Sequence, residues 1–148
     1  MSCETTAARR HQLLHELCML DSPGTRIRMP SDVAPVLMRR YGKKSQEHFV
    51  VVTLNAAHEL IRIRTITKGL VNRTLVHPRE VFRPVLRDNS TAIIIAHNHP
   101  SGNTVPSNED HLITTTIKDA GELLGIRVLD HLIIGRSSYS SFLESGQM

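Results

Sequence analysis

Two histidines one residue apart, followed by a Pro/Gly loop and a short Ser-x-x-Asp, have the clearest chemical content in this chain. The stretch reads His97-Asn98-His99-Pro100-Ser101-Gly102, then Pro106-Ser107-Asn108-Glu109-Asp110. In extended backbone, residues two apart project to the same side, so His97 and His99 can aim both imidazoles at one ion. Asp110, about one turn into a following helix, can be the third ligand, because the loop is long enough to bring that turn back over the strand end. Two nitrogens and one carboxylate oxygen leave a tetrahedral Zn²⁺ one position for water, which separates a catalytic site from a closed structural one. Zinc lowers the pKa of the water it binds to about 7 and so yields hydroxide at neutral pH.

A hydrolase needs two further parts, a carboxylate to shuttle the proton and a donor for the oxyanion. Ser107, three residues before Asp110, is the candidate donor; its hydroxyl can equally serve as a helix cap. For the shuttle, Glu47, Glu80 and Glu109 are the candidates. Glu109 is adjacent to Asp110 and points about 100° away from it on a helix. Glu80 lies in a first helical turn, where the macrodipole favours a carboxylate whatever its task. Glu47 immediately precedes a strand and can sit at a sheet end, although spacing alone also suits a solvated Glu.

These residues need elements to hold them. Thr91–Ala96 is an unbroken β-branched run, the pattern of a central strand covered on both faces and ending at His97. Ser107 caps a helix to about Leu124, with Leu112, Ile113, Ile117, Ala120 and Leu124 inward and Gly125 as its stop. Upstream, His48–Leu54 and Leu60–Thr67 form a hairpin about the turn Asn55–His58, with Arg62 and Arg64 on a face turned to solvent or to an acidic partner, the solvated reading being preferred. His77-Pro78 opens a helix through Arg87 with Val81, Phe82, Val85 and Leu86 as its buried stripe, against which Pro84 is a conflict. Pro30-Ser31-Asp32 offers a cap for a helix over Val33–Tyr41, with Pro35 in its first turn and Gly42 ending it. Ala7–Leu20 has the spacing of a short amphipathic helix. Val128–Ile134 and Tyr139–Leu143 are expected strands.

The chain has 148 residues, 40% hydrophobic and 22% charged, enough for one domain with one core. No run approaches the roughly 18 apolar residues of a membrane span, and the polar start, Met1 to Arg10, lacks the pattern of a signal segment. Two cysteines, Cys3 and Cys18, make neither a disulfide framework nor a CxxC metal site. A soluble protein of the reducing cytoplasm is expected. Aromatics are 3% with no Trp, which argues against base stacking as the main business. The net charge of +4 favours acidic partners without establishing nucleic-acid binding. Nine histidines are the compositional peculiarity. Of these, His11 and His15 are expected on a surface face, His48, His58 and His77 at strand or turn edges, and His111 exposed. His131, beside Asp130, is expected to be a structural pair before a hydrogen-bonding partner of the site.

The run His97-x-His99-Pro100, then Ser107-x-x-Asp110, with a Glu upstream, resembles the JAMM (MPN+/JAB) metalloprotease motif. Together with His77-Pro78-Arg79-Glu80-Val81, Pro106-Ser107 and Leu129-Asp130-His131, it resembles the RadC family of bacterial JAB-domain proteins over about Ser45 to Ser141. The resemblance implies an α/β fold, a JAMM/cytidine-deaminase-like three-layer domain with a mixed central sheet flanked by helices. It further implies zinc held by His97, His99 and Asp110, Ser107 at the oxyanion, and a glutamate as acid/base. Glu47 matches that glutamate's position before the first strand, and Glu80 is the second choice. The expected organisation is an N-terminal helical extension and linker over 1–42 and a RadC-like JAB/JAMM domain over 43–148. Longer RadC proteins carry a helix-hairpin-helix region, whereas Met1 to Gly42 offers no Gly-x-Gly hairpin for that route to DNA.

The leading expectation is a zinc-dependent hydrolase acting on a peptide or isopeptide bond in a peptide or protein substrate. The alternative is a DNA-associated accessory protein of the DNA-repair type, using Arg9, Arg10, Arg39, Arg40, Lys43 and Lys44. A metal-dependent nuclease is a weaker third, since one three-ligand site lacks the second metal common there. A base deaminase is set aside for want of Pro-Cys-x-x-Cys.

Overall fold

The computed structural model describes residues 22–69 and 76–148. The helix expected over Ala7–Leu20 lies outside them, as do Arg9, Arg10, His11 and His15. In chain order the elements are α1 (Pro30–Tyr41), β1 (His48–Leu54), β2 (Leu60–Lys68), α2 (Pro78–Arg87), β3 (Ala92–Asn98), α3 (Asn108–Leu124), β4 (Arg127–Ile134) and β5 (Tyr139–Ser141). The sheet runs β2-β1-β3-β4-β5. β3 and β4 are parallel, joined by the crossover helix α3, and the remaining neighbours are antiparallel.

Every residue of β1 and β3 is buried, as an unbroken β-branched run demands when helices cover both faces. Val50, Val52, Ile94 and Ala96 pack with Val33, Ala34 and Leu37 of α1. Phe49, Val51, Ile93 and Ile95 pack on the opposite side with Val81, Phe82, Val85 and Ile117 of α2 and α3. Three layers result, as expected. The helix placed in the N-terminal extension by sequence thus supplies one of them.

Several local expectations change. β3 extends through His97 to Asn98, because both residues pair in register with β4. Leu86, Leu112 and Leu124 are 52%, 51% and 48% exposed, so they do not belong to the core. The buried stripe of α3 is Asp110, Thr114, Ile117 and Gly121, rotated from the apolar one because Asp110 and Thr114 satisfy their polar atoms by hydrogen bonds. Pro35 lies in the second turn of α1, and Asp32 caps from inside the first, accepting from the backbone N–H groups of Arg28 and Met29. Pro84 sits within α2 without ending it; the carbonyl it leaves without a helical donor belongs to partly exposed Glu80. For Arg64 the acidic partner replaces the preferred solvated reading. Its guanidinium grips Asp88, just past α2, in a two-pronged ion pair, with Thr53 donating to the same carboxylate. β5 is shorter than expected and is followed by turns.

Candidate metal centre

β1 runs antiparallel to β3, with Phe49 opposite His97, so the start of one strand and the end of the other lie at the same end of the sheet. Glu47 precedes β1 and His99 follows β3, which brings together two residues 52 positions apart by the numbering. The sequence then turns through Gly102, whose φ of +81° suits a residue without Cβ, and enters α3. Ser107 is the N-cap of that helix. Its Oγ accepts from the Asp110 N–H at 3.2 Å, and its own N–H donates to Asp110 Oδ2 at 2.7 Å. This reciprocal cap holds the Asp110 carboxylate at the helix N-terminus, over the end of β3.

The donor atoms converge. His97 Nε2 lies 2.8 Å from His99 Nε2 and 3.0 Å from Asp110 Oδ1. His99 Nε2 lies 3.6 Å from Asp110 Oδ2 and 3.9 Å from Glu47 Oε1. Tetrahedral zinc with ligand bonds of about 2.0–2.1 Å separates its donors by about 3.4 Å, a value within the spread of these contacts. The carbonyl oxygen of Asn103 accepts from His99 Nδ1 at 2.6 Å, so the proton of the neutral ring is on Nδ1 and Nε2 offers a lone pair to the cluster. Imidazole lone pairs and a carboxylate brought together can hold a cation, and this donor set fits a divalent metal. Glu47, His97 and His99 also form a group whose ligand atoms all lie within 4.8 Å of one another and that could hold a metal ion.

Charge is tuned accordingly. Burial pushes the Asp110 carboxyl up, but the adjoining His97 and His99 rings and the Ser107 N–H outweigh this and hold it below the usual carboxylate range. The same contact with Asp110 raises His99 above an ordinary histidine, against the opposing effect of burial. A cavity of about 220 Å³ opens on the cluster, walled by Glu47, Val76, His99, Ser107, Asp110 and Ile113.

Of the sequence candidates, His97, His99, Asp110, Ser107 and Glu47 therefore meet at one place. Glu80 does not join them: it pairs with Arg79 and Arg83 on α2. Glu109 is exposed and borders the cavity. His131, expected first as a structural partner of Asp130, turns its ring to His97 instead, with Nε2 2.8 Å from His97 Nδ1. Asp130 keeps to backbone and hydroxyl partners, His131 N–H, Leu143 N–H and Ser141 Oγ. Two contributors escape sequence reasoning. Asn98 Oδ1 accepts from the His48 N–H at 2.7 Å and its Nδ2 donates to the Gln46 carbonyl at 3.0 Å, which clamps the chain on both sides of Glu47. Thr114 contacts His131; its place one helical turn after Asp110 was the available signal.

A family model described as the RadC-like JAB domain matches residues 27–147. Similar relatives are UPF0758 proteins. One from Staphylococcus haemolyticus is 50% identical over 121 residues, covering 82% of this chain and 53% of the relative. One from Methanospirillum hungatei is 53% identical over 105 residues, covering 71% and 47%, and one from Rubrobacter xylanophilus is 43% identical over 138 residues, covering 93% and 60%. The chain thus spans about half the length of the curated relatives it matches. With the family model extending across the sheet, its helices and all the converging donors, this chain belongs to the RadC-like JAB domain family.

Proposed function

We propose that the protein is a zinc-dependent hydrolase of the JAMM type that cleaves a peptide or isopeptide bond. The observation carrying this reading is the approach of His97 Nε2, His99 Nε2 and the Asp110 carboxylate to within 2.8–3.6 Å, with a second carboxylate, Glu47, at 3.9 Å on the cavity wall. His97, His99 and Asp110 would hold the metal, whose contribution when bound is Lewis acidity toward water and the substrate carbonyl. Glu47 is next to the site and partly exposed, placed to take a proton from water on its carboxylate oxygen and return it to the leaving nitrogen. Ser107 Oγ uses a lone pair on the Asp110 N–H, so its hydroxyl proton is left to steady an oxyanion. The capping and oxyanion roles are therefore compatible.

Metal analysis and hydrolysis of a peptide library test this. The wild type retains about one zinc per chain, whereas His97→Ala and Asp110→Ala lose it and stay folded. Glu47→Gln keeps zinc and loses cleavage. Zinc retained by both ligand variants overturns the site.

A second reading follows from the grouping of Glu47 with both histidines within 4.8 Å. As a fourth ligand, Glu47 would close the site and leave a structural metal, as suits a DNA-associated accessory role. A large loss of zinc affinity in Glu47→Gln, together with salt-dependent DNA binding that needs no metal, selects this reading.

A further inference from the structure

His97 has its second nitrogen turned away from the cluster, and the partner it meets there is another imidazole. His131 sits on β4 with no exposed surface, stacked on Phe142 with ring centroids 4.8 Å apart and edge-on to Phe49 at 6.1 Å. Its Nδ1 lies 2.6 Å from Thr114 Oγ1, which lies 2.5 Å from the backbone carbonyl of Asp110. The direction of each bond in this chain follows from its end. A carbonyl oxygen only accepts, so the Thr114 hydroxyl donates to Asp110. With that proton committed, the imidazole must donate to Thr114, which puts the His131 proton on Nδ1. The ring nitrogens of His131 meet Thr114 and His97 and not a carboxylate, so with its proton on Nδ1 the ring's Nε2 carries a lone pair. A lone pair there needs a donor, and the neighbour at 2.8 Å is His97 Nδ1.

We propose that Thr114 and His131 are positioning residues that lock His97 in the Nδ1–H tautomer, so that its Nε2 lone pair is presented to the cation held with His99 and Asp110. The inference rests on the metal site proposed above and assigns its tuning to two residues that do not touch the metal. Neutral imidazole in water favours the opposite tautomer, with the proton on Nε2, which would point an N–H at the cluster. The chain from Asp110 carbonyl through Thr114 and His131 to His97 removes that competitor. It also closes a loop, because its first and last members are both candidate ligands, one on α3 and one on β3. Ligand histidines commonly fix their orientation against a carboxylate or carbonyl. Here a carbonyl does so at two removes, and the ring between them is held by aromatic packing.

The test combines nitrogen NMR of ¹⁵N-histidine-labelled protein, with and without zinc, and zinc affinity by competition with a chromophoric chelator. His131 is expected as the Nδ1–H tautomer in both states of the wild type. Thr114→Val should move its proton to Nε2 and weaken zinc binding about 10–100-fold. Thr114→Ser should restore both, and His131→Gln, whose carbonyl can accept from His97 while its amide donates to Thr114, should bind zinc within about 3-fold of wild type. An Nε2–H tautomer in the wild type overturns the proposal outright, even if Thr114→Val does not fold. So does a Thr114→Val protein that folds and binds zinc as tightly as wild type. A wild type that takes up no zinc overturns the metal site itself, and the His131 tautomer then reports separately on the hydrogen-bond chain.

Discussion

Asn98 points to the face of β3 opposite His97, and there its carboxamide bridges the peptide groups flanking Glu47. Removing it strands a buried His48 N–H, so Asn98→Ala should lower stability by about 2–3 kcal/mol in urea unfolding. Ser107→Ala should cost about 1 kcal/mol through the lost cap, and it should retain zinc because the Ser107 N–H still holds Asp110 Oδ2. The convergence of His97, His99 and Asp110 was legible because His-x-His on a strand and Asp in a first helical turn carry their directions with them. The position of Glu47 was legible only through family resemblance. Nothing in its own neighbours says that a residue some 50 positions later will hold it at the site. Thr114 was hidden for another reason: a threonine on a helix reads as neutral until the ring above it is known.

At the scale of elements, the edge strand β2 is pinned to the end of α2 by Arg64, Asp88 and Thr53. The Asp88 side chain is only 4% exposed, and the Arg64 guanidinium holds its carboxyl below the usual range. The ion pair therefore contributes fully above the unfolded carboxyl pKa of about 3.9 and is lost as pH falls through the lower folded value. Arg64→Met, which leaves the buried carboxylate with Thr53 and the more distant Arg62, should cost about 1.5–3 kcal/mol at neutral pH, with the gap to wild type narrowing below about pH 4. Denaturation measured at several pH values checks both size and trend. Alternation along β2 marked Arg62 and Arg64 as a common face open to solvent or an acidic partner but could not identify that partner as Asp88, which sits just past α2. At the α3–β4 junction, a Cβ on Gly121 would lie 2.5 Å from the Ile126 carbonyl oxygen, closer than real contacts allow. Gly121→Ala should destabilise by about 1–3 kcal/mol, read as a lower thermal midpoint.

Taken as one molecule, the protein brings its candidate ligands together from the end of β3 and the start of α3, so metal binding should couple to global stability. Zinc at about 100 times its dissociation constant should add about 2.7 kcal/mol, reversed by a chelator and absent in Asp110→Ala; calorimetry tests this. Among the described residues, no helix is long and apolar enough to cross a membrane. The primary structure alone determined which segments become covered strands and where the principal helices begin and end, because apolar periodicity, caps and glycine stops are local properties. It also carried the His-x-His and Ser-x-x-Asp spacing that brings His97, His99 and Asp110 together, because that spacing is local too. Only the tertiary structure decided that α3 buries Asp110 and Thr114 instead of Leu112 and Leu124, that Asn98 clamps the approach to Glu47, and that His131 serves His97 and not Asp130. These depend on which strands lie side by side. Strand order joins residues tens of positions apart through hydrogen bonds whose partners no local pattern encodes.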